Sequence, residues 1–541
     1  MTRSLVFLAG LVVSVAVVVA PAAGAPAQGP KRGGTVVLNY VFQPPPCLNF
    51  LDSRCLRFDP TALFLARETL IGAFDVGLDP PSLLVSRVEH TTQPPFTLTY
   101  YIRPEARWSD GVPVSASDFL FTYRVFRKHF PPDSNADLLA THVRSARALD
   151  AKTVRVVLRS RVANWRRLFD VVLPRHALAG EDLAAIWRNG IVNPKTGKPI
   201  GSGPFLLAEY DRNRDDPRLT FVRNPRWWGP NPAYLDRIVV WWSGLSESAA
   251  LDALSAGILH DTPLREAASI AAARRTPGLR VRTLQGPAWE HLRIRTRPPG
   301  HPALGNKLVR RALAYALDRT AIVGELLGEI DPSAKPSESA IFLAQSRYYE
   351  PHWSVYRRRP ALARRLLDRA GCRPGADGIR VCEHGGRLRL RFVTRAGGPR
   401  RELMLRLVQE QLLGIGIEVV PLYSANFAFL ERGDFDVALY SWFRDPDHAA
   451  QVEIYGCGGP ANYGGYCQRL VTRDLDQSDR ILDADARGRV LNRVDAQLAR
   501  DVPVIPLYQP RLTFAASTAF RGQILDPFDD FRNVENWWLA R

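Results

Sequence analysis

The 541-residue sequence lacks the short motifs that identify most hydrolases, nucleotide-binding proteins and metal sites. It contains no Gly-x-Ser-x-Gly, no His-Glu-x-x-His, no Walker loop and no Cys-x-x-Cys. The ten histidines are isolated from one another along the chain. A secreted hydrolase assembled from distant residues stays open as a remote alternative. The sequence otherwise favours a protein that is not an enzyme and that carries no cofactor and no metal.

Lysine is scarce, with seven residues, so the formal net charge of +18 comes almost entirely from arginine. The arginines are scattered rather than gathered into one basic stretch. Dispersed arginine indicates a solvated surface and argues against nucleic-acid binding. Attraction to anionic lipid or to acidic solutes stays open.

The sequence has only one long apolar run, Leu5–Ala20, and it stands at the N-terminus behind Arg3. An Ala25-Pro26-Ala27 ending follows, which is typical of a secretory signal cut before Gln28. The alternative is an uncleaved membrane anchor. No cysteine follows the run, so a lipid-modified N-terminus is not expected. The signal predicts a secreted or periplasmic protein of the cell envelope.

Cysteine is also rare, but the six residues fall into three close pairs. In an oxidising compartment such pairs favour local disulfides, although six cysteines allow about 15 pairings. The pairs are Cys47 with Cys55, Cys372 with Cys382, and Cys457 with Cys467.

A β-α-β-α-β pattern covers residues 387–445. Alternating apolar residues predict strands at Leu388–Phe392, Ile415–Val419 and Phe435–Leu439, whereas Met404–Leu412 and Asn426–Glu431 have helical spacing. Right-handed crossovers would place the three strands parallel in one sheet. Ligands of open α/β sheets bind beyond the carboxyl ends of such strands.

Two charged residues follow these strands. Arg395 comes after the first strand, and Asp445 comes three residues after Trp442 at the end of the third. We therefore expect a cation and an anion at the same edge of the sheet.

Two further segments have helical spacing. Asn306–Leu327 carries one apolar stripe, and Ala361–Ala370 stops at Gly371, a good C-terminal cap residue. The charged residues of the first segment lie mostly off its stripe, which predicts a solvated or ion-paired face. They are Arg310, Arg311, Asp318 and Arg319.

Several segments, in order along the chain, resemble those of one family, the extracytoplasmic solute-binding proteins of peptide/nickel-type ABC importers (family 5). Trp108–Phe119 (WSDGVPVSASDF) is similar to its F-S-D-G-x-P-x-x-A-x-D-V segment, with Asp118 expected to cap a helix. Gly201–Phe205 (GSGPF) and Arg223–Gly229 (RNPRWWG) resemble its G-T-G-P-F and R-N-P-x-Y-W pair. Val309–Arg319 (VRRALAYALDR) resembles V-R-x-A-x-x-x-A-x-D-R. The resemblance runs from about residue 34 to residue 506.

The resemblance implies an α/β protein with the two-lobed periplasmic-binding-protein fold, type II, of the large peptide-binding subclass. Its lobes are hinged and the first is discontinuous. The implied division is a signal peptide at 1–27, lobe I with a subdomain at 28–286, lobe II at 287–509, and a return to lobe I at 510–541. A monomer, peripheral to the membrane, would bind a peptide or similar small solute and deliver it to ABC permease subunits.

In dipeptide-binding members of the family, an arginine at the position of Arg395 pairs with the peptide carboxylate and an aspartate at that of Asp445 holds the ammonium. This sequence departs from the pattern at Ala396, where proline is common, and at Asn426, where an aromatic residue is expected. Asp445 also precedes a proline directly and can instead align with a structural Asp-Pro. The loop between Cys457 and Cys467 resembles a disulfide loop of the dipeptide type. The residues implied to bind ligand are Arg395, Asn426, Tyr440, Ser441, Trp442, Arg444 and Asp445.

Non-peptide solutes remain alternatives within the family. A nickel chelate, an opine, an oligosaccharide or a lipidic solute would fit the same fold.

Overall fold

The structure is a computed structural model. It describes residues 29–540 except 42, 53–54, 56–64, 75–82, 130–137, 214 and 444–450. The expected signal peptide therefore lies outside the described residues. Within the described part, no helix combines the length and the apolar character needed to cross a bilayer.

The described residues form strands, α-helices and short 3-10 helices that alternate along the chain. The strands are β1 (Thr35–Asn39), β2 (Val85–His90), β3 (Thr97–Ile102), β4 (Val143–Ala148), β5 (Thr153–Leu158), β6 (Phe205–Asp211), β7 (Arg218–Arg223), β8 (Arg237–Trp241), β9 (Asp261–Leu264), β10 (Leu279–Gln285), β11 (Ala288–Ile294), β12 (Cys372–Pro374), β13 (Arg380–Cys382), β14 (Gly386–Arg387), β15 (Arg389–Arg395), β16 (Glu418–Ser424), β17 (Val437–Phe443), β18 (Val504–Tyr508), β19 (Arg511–Ser517), β20 (Phe520–Arg521) and β21 (Trp538–Leu539). The α-helices are Ala116–His129, Leu138–His142, Arg175–Leu178, Glu247–Ser255, Ala267–Arg275, Lys307–Ala316, Arg319–Leu327, Pro360–Arg369, Pro399–Leu413, Ala428–Arg432, Gln451–Tyr455, Arg469–Ser478 and Ala484–Asp501. The 3-10 helices are Trp165–Arg167, Pro302–Gly305, His352–Val355 and Val534–Asn536.

A seven-stranded sheet has the order β10-β19-β9-β1-β8-β7-β6. β1 pairs in parallel with β8 and β9, and β19 pairs antiparallel with β9 and β10. A separate four-stranded antiparallel sheet, β2-β3-β5-β4, shares one hydrophobic cluster with the seven-stranded sheet through residues such as Tyr100 and Val154.

A five-stranded sheet has the order β16-β15-β17-β11-β18. β15 pairs in parallel with β16 and β17, which confirms the predicted parallel β-α-β-α-β unit. β11 runs antiparallel to its neighbours β17 and β18. The carboxyl ends of β15–β18 therefore lie at one edge of this sheet, together with the first residue of β11.

Two short crossovers join the sheets. Gly286-Pro287 connects β10 to β11, and Gln509-Pro510 connects β18 to β19. The crossovers touch each other, because the amide of Gly286 donates to the carbonyl of Pro510 at 3.0 Å. Gln509 links them to a third segment: its Nε2 donates to the Gly286 carbonyl at 2.6 Å, and its Oε1 accepts from the Ala344 amide at 3.0 Å.

The long predicted helix at residues 306–327 is two helices, and the break has a local cause. The Asp318 carboxylate accepts from the Ala321 amide and begins the second helix as its N-cap. Arg310 and Arg319 are buried, so the prediction of a solvated or ion-paired face is wrong for Arg310 and only partly right for Arg319. Arg310 donates to the carbonyls of Leu304 and Asp501, whereas Arg319 both pairs with a carboxylate and donates to carbonyls.

Asp118 also differs from the expected cap position. It lies inside the first turn of the helix that begins at Ala116, and its Oδ2 accepts from the Ser115 amide at 2.8 Å. Its Oδ1 accepts from the Arg175 amide at 2.9 Å, so the carboxylate joins the helix start to a distant loop.

The helix predicted to stop at Gly371 ends at Arg369, with Gly371 in the left-handed region at φ 76°. The three disulfides connect the local pairs that the sequence favours: Cys47–Cys55, Cys372–Cys382 and Cys457–Cys467.

Candidate functional site

The carboxyl edges of the two sheets face the crossovers. β18 and β10 end immediately before the crossovers, and β19 and β11 begin immediately after them. In the seven-stranded sheet, the pairing of Leu264 with Thr513 places the carboxyl end of β9 at this same edge. Because carboxyl ends of parallel strands are the usual ligand side of α/β sheets, the space between these edges is the candidate site.

Arg395 is the last residue of β15 and its side chain is exposed. The guanidinium carbon lies 6.0 Å from the centroid of the Phe427 ring. Within the described part of the chain, no carboxylate forms an ion pair with it. This is the position that the sequence predicts for a cation at the edge of the sheet.

Ser441 belongs to a compact polar group with Glu290 and Arg401. Arg401 contacts the Glu290 carboxylate through two nitrogens, with Nη2 at 2.8 Å from Oε1 and Nε at 3.2 Å from Oε2. The Ser441 hydroxyl accepts from Arg401 Nη2 at 2.9 Å and donates to Glu290 Oε1. Desolvation lowers the pKa of Arg401, but the carboxylate of Glu290 outweighs it and the net shift is upward. Arg401 therefore stays charged, and its contacts with Glu290 fix Ser441.

Tyr440 and Trp442 form an aromatic wall on the other side of the same strand. Tyr440 is buried and meets the His291 ring edge-on, with 4.4 Å between centroids. Trp442 is half-buried. Its ring centroid lies 6.1 Å from that of Tyr440 and 6.2 Å from that of Tyr463. Part of Trp442 thus stays accessible, whereas Tyr440 packs beneath it. Phe443, the last residue of the strand, is 67% exposed and lies on the opposite face, with Ser441.

Asn426 is exposed and acts as a turn residue. Its Oδ1 accepts from the Ala428 amide at 3.0 Å, immediately before the helix that begins there. The Nδ2 of this side chain is left to donate to another partner. Arg444 and Asp445 lie outside the described residues.

The facing edge of the seven-stranded sheet carries a carboxylate. Asp530 accepts a hydrogen bond from the Tyr40 hydroxyl, directly beyond the end of β1. Its side chain is exposed, yet desolvation by the surrounding protein raises its pKa.

Three of these residues were not predicted from the sequence: Glu290, Arg401 and Asp530. The sequence did carry a signal for two of them. Glu290 stands between apolar residues of a strand, and Arg401 is one of two arginines at the N-terminal, positive end of a helix dipole. No local signal marked Asp530, because its partner Tyr40 is 490 positions away.

Comparisons with known proteins agree with this geometry. The oligopeptide-binding protein OppA of Mycobacterium tuberculosis (strain H37Rv) is 26% identical over 467 residues, covering 83% of this chain and 76% of that protein. The oligopeptide-binding protein AppA of Bacillus subtilis (strain 168) is 26% identical over 461 residues, covering 81% of this chain and 80% of that protein.

Solved structures share the fold. A periplasmic EDTA-binding protein, EppA, superposes with a TM-score of 0.82 at 20% identity, covering 95% of this chain and 98% of that one. AppA from Bacillus subtilis in complex with a nonapeptide superposes with a TM-score of 0.74 at 22% identity, covering 95% of this chain and all of that one. The chain thus has the two-lobed α/β fold of periplasmic binding proteins.

The family model for the bacterial extracellular solute-binding proteins, family 5, matches residues 81–462. This match spans the motifs, the parallel strands and the aromatic wall described above, and the chain belongs to that family.

Proposed function

We propose that this protein is the extracytoplasmic substrate-binding component of an ABC importer. It captures a di- or oligopeptide, or a similar small solute, between two lobes and delivers it chemically unchanged to the permease subunits. The observation that carries the proposal is that two α/β sheets present their carboxyl edges to each other across two short crossovers.

Lobe I comprises residues 28–286 and the return segment 510–541, and lobe II comprises residues 287–509. The pairing of β19 with β9 and β10 supports this division, as does the grouping of β11 and β15–β18 in one sheet. The protein is secreted, peripheral to the membrane and monomeric, and it does not act on nucleic acid.

Solute contacts in lobe II come from the edge of the five-stranded sheet. Arg395 offers two parallel donors to a carboxylate, Trp442 offers an apolar face, and Asp445 is the proposed partner of an ammonium group. The Glu290–Arg401 pair holds Ser441 in place beside them. Extended backbone bonding to a peptide would supply affinity without strict choice of side chains.

Mass spectrometry of small molecules released from the purified protein tests the proposal. We expect a mixture of peptides. A metal complex or a glycan as the released species would contradict the peptide assignment, and an enzymatic product formed from the released solute would contradict the binding role itself.

Affinity measurements on two variants test the site. Arg395→Gln and Asp445→Asn should each weaken binding of the released solute by about 10-fold or more, the loss of one charge-assisted hydrogen bond. Arg389→Gln, at the opposite end of β15, is the matched control and should bind like the wild type. Unchanged affinity in both site variants would remove these residues from the site.

A further inference from the structure

A dense group of arginines lies in residues 357–373 of the proposed lobe II. This segment has seven arginines and one acidic residue, whereas the whole chain has 72 basic and 54 acidic residues. The group therefore exceeds the general excess of arginine. All seven side chains are exposed, and we call them the basic surface: Arg357, Arg358, Arg359, Arg364, Arg365, Arg369 and Arg373.

The helix Pro360–Arg369 places these arginines on one side. It buries Ala363, Leu366 and Leu367, which recur at helical spacing. The three arginines within the helix fall on the opposite side, because successive residues are rotated by about 100°. Three more arginines directly precede the helix. Arg373 follows it and reaches back to the exposed side, with its Nη1 3.7 Å from Oδ1 of Asp368.

The carboxylates that form ion pairs with the basic surface are already neutralised by buried arginines. Asp368 lies 2.7 Å from Nη1 of Arg380, and Glu338 lies 2.8 Å from Nη2 of Arg319. The contacts of these carboxylates with the basic surface are longer, at 3.7 Å each. Within the described part of the chain, no carboxylate forms an ion pair with the other five arginines. Most of the positive charge thus faces solvent.

Exposed apolar side chains border the basic surface. Val355 stands two residues before it. Leu413 precedes Gly414, whose carbonyl accepts from Nη2 of Arg364 at 3.4 Å. Val381 is the cross-strand partner of the last arginine of the surface, so both side chains lie on the same side of their hairpin. Basic residues combined with exposed apolar ones are typical of surfaces that lie on anionic membranes.

The basic surface lies at the other end of the five-stranded sheet from the candidate site. The site is at the carboxyl end of β15, where Arg395 stands. The helix Pro399–Leu413 begins beyond that end and runs back to Gly414, just before β16 starts. Because Arg364 contacts Gly414, the basic surface is near the amino ends of these strands, about 20 Å of strand from the site. A partner bound there leaves the candidate site open.

We propose that the basic surface binds an anionic phospholipid membrane and holds the protein there with its solute site free of lipid. Guanidinium groups donate paired hydrogen bonds to phosphate headgroups, and the bordering apolar side chains enter the interface. A membrane fits both the arginines and these apolar side chains, whereas an acidic peptide fits only the arginines. The inference gives the proposed peripheral attachment a surface, and it rests on the proposed function only for a location outside the cytoplasm.

Co-sedimentation of the purified, solute-free protein with lipid vesicles tests the inference. The vesicles contain phosphatidylcholine alone or with an equal amount of phosphatidylglycerol. We expect binding to the anionic vesicles at low salt, loss of binding at high salt, and no binding to the neutral vesicles. Equal binding to both kinds of vesicle would overturn the inference.

Two variants that each remove four charges locate the binding surface. The basic-surface variant combines four arginines without an ion pair: Arg358→Gln, Arg364→Gln, Arg365→Gln and Arg369→Gln. The control variant combines four exposed arginines from other parts of the chain: Arg147→Gln, Arg274→Gln, Arg406→Gln and Arg493→Gln. Each arginine near an anionic surface contributes about fivefold, so the first variant should lose about 100-fold or more and the control less than about 10-fold. Both should keep the Tm of the wild type, and equal losses would overturn the inference.

A fluorescent label distinguishes a membrane from an acidic polymer. A polarity-sensitive fluorophore attached through Leu413→Cys should shift to shorter wavelength with anionic vesicles and not with polyglutamate. The same label at the exposed position Asp150→Cys, in the proposed lobe I, should not shift. If the label at position 413 does not respond, and polyglutamate binding is lost in the basic-surface variant, the partner is an acidic polymer and the inference is wrong.

The outcomes separate this inference from the proposed function. The basic-surface variant should bind the released solutes as the wild type does, because the candidate site is at the other end of the sheet. If vesicle binding fails while the solutes still bind, the membrane surface is wrong and the solute-binding role stands. If vesicles bind through the basic surface but no solute is released or bound, the inference stands and the proposed function fails.

Discussion

At the scale of single residues, buried arginines determine much of the architecture of lobe II. Arg319 is 3% exposed, and its guanidinium donates to the carbonyls of Ser337, Pro506 and Trp353 while pairing with Glu338 at 2.8 Å. Several acceptors around one guanidinium offset the loss of hydration. The Asp-Arg motif that contains Arg319 is therefore a scaffold feature and not a ligand contact.

The Glu290–Arg401 pair gives a prediction for stability. Arg401→Ala leaves a carboxylate that is 7% exposed without its cation, so the free energy of unfolding should fall by about 3 kcal/mol. Urea unfolding measures the change. Arg406→Ala, an exposed arginine on the same helix, should change the value by no more than about 0.5 kcal/mol. Equal effects of the two substitutions would show that the pair contributes nothing.

Asp261 gives a prediction for pH dependence. Burial raises the pKa of its carboxyl from 3.8 to about 7 despite the nearby Arg282. Between these two values the folded chain keeps a proton that the unfolded chain has lost, so stability falls as pH rises, by about 1.4 kcal/mol per unit. The stabilisation is complete below pH 3.8 and absent above about pH 7.

Thermal unfolding at pH 5 and pH 8 checks this sign. The Tm of Asp261→Asn relative to the wild type should be higher at pH 8 than at pH 5. Asp252 is exposed in the helix Glu247–Ser255, so Asp252→Asn should have the Tm of the wild type at both pH values. If the difference in Tm between Asp261→Asn and the wild type is the same at pH 5 and pH 8, the prediction is wrong.

At the scale of elements, the crossovers determine how the two sheets meet. A Cβ atom on Gly286 would lie 2.7 Å from the Pro510 carbonyl oxygen, closer than real Cβ contacts allow. The absence of a side chain at this position lets the two crossover chains run side by side.

Gly286→Ala should therefore force the crossovers apart. We expect a loss of about 1–3 kcal/mol in the free energy of unfolding and a changed distance between the lobes, measured by urea unfolding and spin labels. Gly324→Ala is the matched control, because Gly324 is exposed in the helix Arg319–Leu327 and nothing lies within 4 Å of its Cβ position. That substitution should be neutral or stabilising by up to about 1 kcal/mol. A neutral Gly286→Ala would show that the crossovers tolerate separation.

At the scale of the whole molecule, the lobes also touch away from the crossovers. The amide of Ala163 donates to the carbonyl of Asp479 at 2.7 Å, and Leu482 packs against the hydrophobic cluster that contains Tyr100 and Phe119. This contact joins the segment between two lobe II helices to the body of lobe I. The hydrogen bond and the packing contact join the two proposed lobes without a solute.

Leu482→Ala should widen the distribution of distances between the proposed lobes in the solute-free protein. Nitroxide labels introduced through Asp150→Cys and Glu410→Cys, both exposed positions, measure this distribution. The thermal unfolding midpoint should change little, because Leu482 is only partly buried. Leu470→Ala, an exposed leucine on the preceding helix, is the control and should leave the distribution unchanged. A distribution unaffected by Leu482→Ala would exclude this contact as a determinant of closure.

Local patterns in the sequence were sufficient for the parallel strands, the three disulfides and the family. Strand and helix periods repeat within a few residues, and each pair of cysteines closes a short loop, so these features follow from near neighbours alone. The same patterns predicted a solvated or ion-paired face for Arg310 and Arg319, whereas both are buried and donate to carbonyls. A pattern of residue types does not show which distant carbonyl will accept from a guanidinium.

The sequence by itself determined the β-α-β-α-β unit of residues 387–445 and the edge at which Arg395 and Trp442 stand. Only the tertiary structure decided which charges meet there, since Arg401 pairs with Glu290 from 111 positions away. The physical reason is that a buried charge is governed by partners brought together by folding, whereas a strand or helix is governed by residues adjacent in the chain.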